Sequence, residues 1–370
     1  MKNFLLFPIL IFLSLFLFDK ILLVPFIFER IIKNKISGFE VFRQINENSY
    51  KKFLKQEAEK KKVSVEEIEN NAYVFFGSSR SAGFSELTSN DYKGNPYLKN
   101  QTTVAEIPVT ANYIRAGSFF QILKLYNDFP KKKGTYILEI NYTSFNQNSL
   151  FREKRDIYEL TMSNYFEFFP YLSMKDRVEF FSSNLLLFNR YKVEFKRLFQ
   201  PVEDQNLSEM MNDMLVLKKI NDEAQIQKFN LNGFWIQGSK EGFEDKSLIQ
   251  PYTESNNWVI DSFYKNFKLS TTDWNLFQYL LKKSKKEGTR LIILRPRIHR
   301  ILRQSGEKYI QGETQWLKDV KELTSSLEIP FIDLDKEAEI SCDYFTDTSH
   351  LSKSCFPEII EKVYELNLKK

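Results

Sequence analysis

The chain offers very little imidazole: its only histidines are His299 and His350. Any histidine-based acid–base chemistry must use one of these two, and a histidine-rich metal site is excluded. His350 lies in FTDTSHLS (345–352), three residues after Asp347. In a loop, that spacing lets a carboxylate hold one imidazole nitrogen while the other faces a hydroxyl. Hydroxyls stand in FFGSSRS (75–81), where an apolar run reaches Gly77 and Ser78, Ser79 and Ser81 follow. A serine between a strand and a helix sits beside free backbone N–H groups that can stabilise an oxyanion. Alone, such a serine reads as an N-cap. The two stretches together point to nucleophilic acyl transfer by a serine, a histidine and an aspartate.

Other side chains surround these stretches in sequence. Arg80, Arg295 and Arg297 suit an anionic or polyol substrate, and equally suit packing. His299 reads as a solvated surface residue. Cys342 and Cys355 are the only cysteines and bracket the Asp347–His350 loop. They read either as a disulfide stapling that loop, which implies an oxidising compartment, or as two buried thiols. They are too far apart for a CxxC motif.

The elements that must position these groups follow from hydrophobic patterning. AYVFF (72–76) reads as a buried strand running into a tight loop. Further strands are expected at 105–111, 135–141, 289–296 and 329–335. Between the last of these lie amphipathic helices, one starting at the Ser270–Asp273 capping cluster and stopping at Gly288. A second aligns Trp316, Val320, Leu323 and Leu327, and a final helix fills 354–367. Strands alternating with helices predict an α/β fold, a parallel sheet with helices on both faces, and ligands at the strands' carboxyl ends. A largely helical insertion is expected at about 146–268.

At the N-terminus, residues 4–18 and 21–28 are apolar, interrupted by Asp19–Lys20. Joined, they are long enough to span a bilayer, so 1–28 is expected to be one transmembrane signal anchor. Residues 29–70 read as a charged helical stalk, and 71–370 as the folded domain. Arg30, Lys33 and Lys35 follow the apolar run, which by the positive-inside rule retains the domain in the cytoplasm. The net charge of +5 comes from acids and bases mixed along the chain, with no basic stripe for nucleic acid.

The order of the blocks resembles the SGNH, or GDSL-like, hydrolase superfamily. Its first block is a strand followed by Gly-Asp-Ser, matched here by Gly77-Ser78-Ser79. Its last is Asp-x-x-His before the C-terminal helix, matched by Asp347-Thr348-Ser349-His350. The resemblance implies a three-layer, flavodoxin-like domain with Ser79 as nucleophile, His350 as base and Asp347 as its orienting acid. It also implies an oxyanion hole from the N–H groups of Ser79 and Gly117 and the side chain of Asn141, with Asn146 as competitor. Ser78 stands where the family has Asp, and the third block lacks the Gly-x-Asn-Asp form.

With an N-terminal anchor and a large insertion, the chain is similar to membrane-associated SGNH-like proteins of bacterial envelope polymer acylation. These include the alginate O-acetylation proteins and the lipoteichoic-acid D-alanylation protein. What this implies is a serine esterase or O-acyltransferase without cofactor or metal, exported and acting on an acylated glycan or lipid. A membrane acyl-donor protein would be a partner, and no nucleic acid would be. The other expectation is a catalytically inactive SGNH-like scaffold of the envelope.

Overall fold

The computed structural model describes residues 2–27, 50–113, 119–128, 133–148, 166–188, 239–242, 253, 256–309, 311–335 and 339–368. The chain divides into two compact units, one of residues 1–48 with 157–229 and the other of 49–156 with 230–370.

The larger unit is α/β. Its strands are β1 (Tyr73–Gly77), β2 (Val109–Tyr113), β3 (Thr135–Glu139), β4 (Ser239–Lys240), β5 (Arg290–Arg295), β6 (Phe331–Asp333) and β7 (Tyr344–Phe345). Five form a parallel sheet in the order β2-β1-β3-β5-β6. The other two, β4 and β7, make a short antiparallel ladder. The chain leaves β1 towards β2 on one side and returns to β3 on the other. That reversal opens a crevice at the carboxyl end of β1.

The helices used below are α1 (Lys2–Lys20), α2 (Val65–Asn71), α3 (Ser79–Ala82), α4 (Phe119–Asp128), α5 (Met174–Leu185), α6 (Thr271–Glu287), α7 (Arg300–Gly306), α8 (Glu313–Ser326) and α9 (Phe356–Leu368). Every residue of β1 and β3 is buried, as the unbroken apolar runs require of central parallel strands. Alternation sends Phe75 to one face and Phe76 to the other. On the first face Phe75 stacks on Phe84 at 3.7 Å between centroids, and Phe84 on Phe356 of α9 at 4.5 Å. On the second, Phe119 of α4 packs against Phe145 and against Phe277 of α6. Each fully buried side chain of this size contributes about 1.5–3 kcal/mol.

Helix α6 starts and stops where the sequence signals place it. Ser270 accepts the Asp273 N–H, and Gly288 ends the helix at φ 66°. A Cβ at 288 would meet no atom within 4 Å. The expected cost of Gly288→Ala is therefore backbone strain alone, about 1 kcal/mol. The shift in the urea midpoint measures it, and an unchanged midpoint would show that this left-handed cap contributes nothing.

Two expectations for the N-terminal third are corrected. The apolar runs do not form one helix over 4–28. Helix α1 stops at Lys20, a 3-10 turn covers Ile21–Leu23, and a single turn follows at Pro25–Ile27. Among the described residues no helix is long and apolar enough to cross a membrane. The break has a physical cause: the Asp19 carboxylate accepts the N–H groups of Leu187 and Phe188 at 2.9 and 2.7 Å. Lys20 donates to the Leu185 carbonyl, and Phe18 stacks on Phe188. The foot of α1 is thus anchored to part of the insertion rather than free-standing.

From residue 50 onward the expected stalk is helical, but it packs into the larger unit. A helix over 50–61 buries Tyr50, Leu54 and Ala58, a stripe at four-residue spacing, and α2 buries Ile68. These residues belong to the larger unit. The insertion, in turn, is divided. Its two ends meet where Gln147 donates to the Lys268 carbonyl and Ser270 to that of Phe145. Only 157–229 joins the smaller unit. The described parts include α5 and a π-type turn at Ile260–Tyr264.

Candidate active site

Strand β1 delivers its last residue, Gly77, to the crevice at the chain reversal. Ser78 then turns the chain in extended conformation and caps α3, its Oγ accepting the Arg80 N–H at 3.3 Å. Ser79 is the first residue of α3 and is exposed. Its N–H lies in the first helical turn, where no intrahelical carbonyl is available.

The opposing groups ride on a hairpin. Thr346 donates to the His350 carbonyl at 3.0 Å and Ser352 to that of Tyr344 at 2.8 Å, so 347–349 form its tip. The Cys342–Cys355 disulfide closes the hairpin at its base, with Cα atoms 5.2 Å apart and both residues fully buried. β4 pairs along its outer edge. At the tip, Asp347 Oδ1 accepts the N–H groups of Ser349 at 2.7 Å and His350 at 3.0 Å. Asp347 Oδ2 lies 2.8 Å from His350 Nδ1. The Ser349 hydroxyl donates to Asp347 Oδ1 and also lies 3.0 Å from Nδ1. On the far side of the ring, His350 Nε2 is 2.7 Å from Ser79 Oγ.

Burial alone would raise the Asp347 pKa. The charge of His350 and the hydrogen bonds from His350 and Ser349 outweigh it and hold the pKa at about 2. A carboxylate that stays ionised is what keeps the imidazole proton on Nδ1 and leaves Nε2 free to accept. Arg80 fastens the two halves together, its Nε donating to the Ser349 carbonyl at 3.0 Å.

The remaining expected site residues fall out differently. Gly117 lies outside the described residues. Asn141 caps the 3-10 turn Tyr142–Phe145, with its Oδ1 accepting from Ser144 N–H and the Thr143 hydroxyl. Only its amide nitrogen remains for an oxyanion. Asn146 is structural, for it donates to the Phe263 carbonyl and accepts from Lys268 and Asn148.

Two of the three candidate substrate arginines are committed elsewhere. Arg295 pairs with Glu313 at 2.8 Å and with Asp333 and Asp335 at 3.1 Å. Arg297 pairs with Glu241 at 3.0 Å. His299 is fully buried rather than solvated: its Nδ1 accepts the Ile301 N–H as the cap of α7, and its ring meets Phe345 edge-on.

One site-adjacent group escaped the sequence reading. Glu139, the last residue of β3, sits against the Ser78–Ser81 turn and accepts from it. The available signal was a lone acid at the carboxyl end of the apolar run TYILEIN.

The chain belongs to the family described as protein of unknown function, DUF1574, whose model matches residues 1–365. No curated protein matches it.

Proposed function

We propose that this DUF1574 member is a serine esterase or O-acyltransferase of the SGNH type, acting on acyl esters of a cell-envelope glycan or lipid. The observation that carries this reading is the hydrogen-bonded series Ser79–His350–Asp347, with 2.7 Å on the serine side and 2.8 Å on the aspartate side. The strand order and the position of Ser79 at the carboxyl end of β1 are those expected of a flavodoxin-like, SGNH-like domain. An exposed nucleophile suits an ester displayed on a large substrate.

The chemistry proceeds in two halves. Ser79 Oγ attacks the ester carbonyl carbon while His350 Nε2 takes the hydroxyl proton. The carbonyl oxygen becomes an oxyanion facing the Ser79 N–H and the Asn141 amide, each such donor being worth about 3 kcal/mol in the transition state. Collapse expels the alcohol, which takes the proton from His350 and leaves acyl-Ser79. Water then gives hydrolysis, and a sugar hydroxyl gives transfer. In the transfer case a membrane-bound acyl-donor protein would load Ser79.

The buried disulfide supports an extracytoplasmic site for the domain. The exposed Phe7, Ile11, Phe12, Leu15 and Phe18 of α1 support attachment to a lipid surface. A fluorophosphonate probe tests the central claim. The folded protein is expected to be labelled on Ser79, and Ser79→Ala not at all. A folded wild type that resists the probe would sink the acyl-transfer reading.

A further inference from the structure

Glu139 closes a central strand and is only 7% exposed. A buried carboxylate is costly unless donors surround it. Here the Ser78 N–H donates to Oε2 at 3.2 Å and the Ser78 hydroxyl to Oε1 at 2.7 Å, while the Ser81 hydroxyl donates to Oε2. All of these donors belong to the turn that carries Ser79.

Phe76 pairs with Leu138 across β1 and β3, so the next residues, Gly77 and Glu139, face each other. A Cβ at 77 would collide with Ser81 Oγ and Glu139 Oε2. The glycine is what lets the carboxylate approach the turn so closely.

We infer that Glu139 is the positioning residue of the nucleophile, locking the Ser78–Ala82 turn so that Ser79 faces His350. The inference rests on reading Ser79 as the nucleophile. Ser78 has one hydroxyl proton, and it goes to Glu139. The lone pairs of Ser78 Oγ are thereby turned to the Arg80 N–H. Arg80 in turn reaches the Ser349 carbonyl in the hairpin that bears Asp347 and His350. One carboxylate on β3 thus sets the cap, the cap sets the helix, and the helix meets the base. Glu139 touches no reacting atom.

Glu139→Gln keeps the shape but replaces one acceptor oxygen by an NH2 that faces the turn's own donors. Two readouts are needed: the fluorophosphonate labelling rate per folded molecule across pH, and amide hydrogen exchange over 77–82. The variant is expected to label about ten- to a hundredfold more slowly, as a displaced nucleophile does. The midpoint of its pH profile should stay where it is, because Asp347 and His350 are untouched. Exchange over 77–82 should quicken while the rest of the sheet keeps its protection. Wild-type exchange in that segment overturns the inference whatever labelling shows. So does a labelling loss that merely tracks the unfolded fraction. If the wild type is not labelled at all yet Glu139→Gln loosens 77–82, the hold of Glu139 on the turn stands and the acyl-transfer reading falls.

Discussion

Asp347→Asn is expected to slow acylation of Ser79 about ten-thousandfold. The side-chain amide can still accept the N–H groups of Ser349 and His350, so the hairpin tip keeps its shape. It can, however, donate to His350 Nδ1, which drives the ring proton to Nε2, the nitrogen that must accept from Ser79. Labelling rates measure the effect, and a variant within tenfold of wild type would remove Asp347 from the mechanism. The same substitution should also cost stability. Asp347 titrates at about 2 in place of the ordinary 3.8, so its contribution is present above pH 4 and lost as pH falls towards 2. That contribution is on the order of 2 kcal/mol. The gap between wild type and variant in chemical denaturation should hold at neutral pH and close between pH 4 and 2.

The second large effect is on the hairpin's base. Cys342 and Cys355 are 13 residues apart and close the segment that contains both Asp347 and His350. Opening a loop of this size is expected to cost about 3 kcal/mol. Cys342→Ser with Cys355→Ser should therefore unfold at markedly lower urea than wild type, and labelling should fall with it. Reductant should bring wild type down to the same midpoint and leave the double variant unmoved. A wild type indifferent to reductant would show that the bond does not form in solution.

Much of this molecule is legible in its sequence because the relevant signals are local. The five sheet strands are short apolar runs, and each forms within a few residues of its expected bounds. The cap at Ser270 and the stop at Gly288 act within one helical turn. That Ser79, Asp347 and His350 come together was legible because so few histidines compete and the aspartate is three residues away.

What stayed hidden depends on partners distant in the chain. Arg295 and Arg297 look available until Glu313 and Glu241 arrive beside them. Glu139 is an ordinary strand-end acid until β1 lays Ser78 and Ser81 against it. Tyr50, Leu54 and Ala58 form too sparse a stripe to stand out among lysines and glutamates, yet they seat a helix in the core. The apolar N-terminal run promised length, and Asp19 bound to Leu187 and Phe188 cut it short.

Ser79 and His350 lie 271 residues apart in the chain, near opposite ends of the larger unit. During synthesis the strand bearing Ser79 emerges early, with no partner for its hydroxyl. His350 follows only after the insertion and four further sheet strands have been made. The hairpin then awaits a disulfide that a reducing cytoplasm would not supply. On the proposed reading, catalytic competence would be the last property the growing polypeptide acquires. On that reading a nascent or incompletely oxidised chain would carry an inert serine past any ester it met.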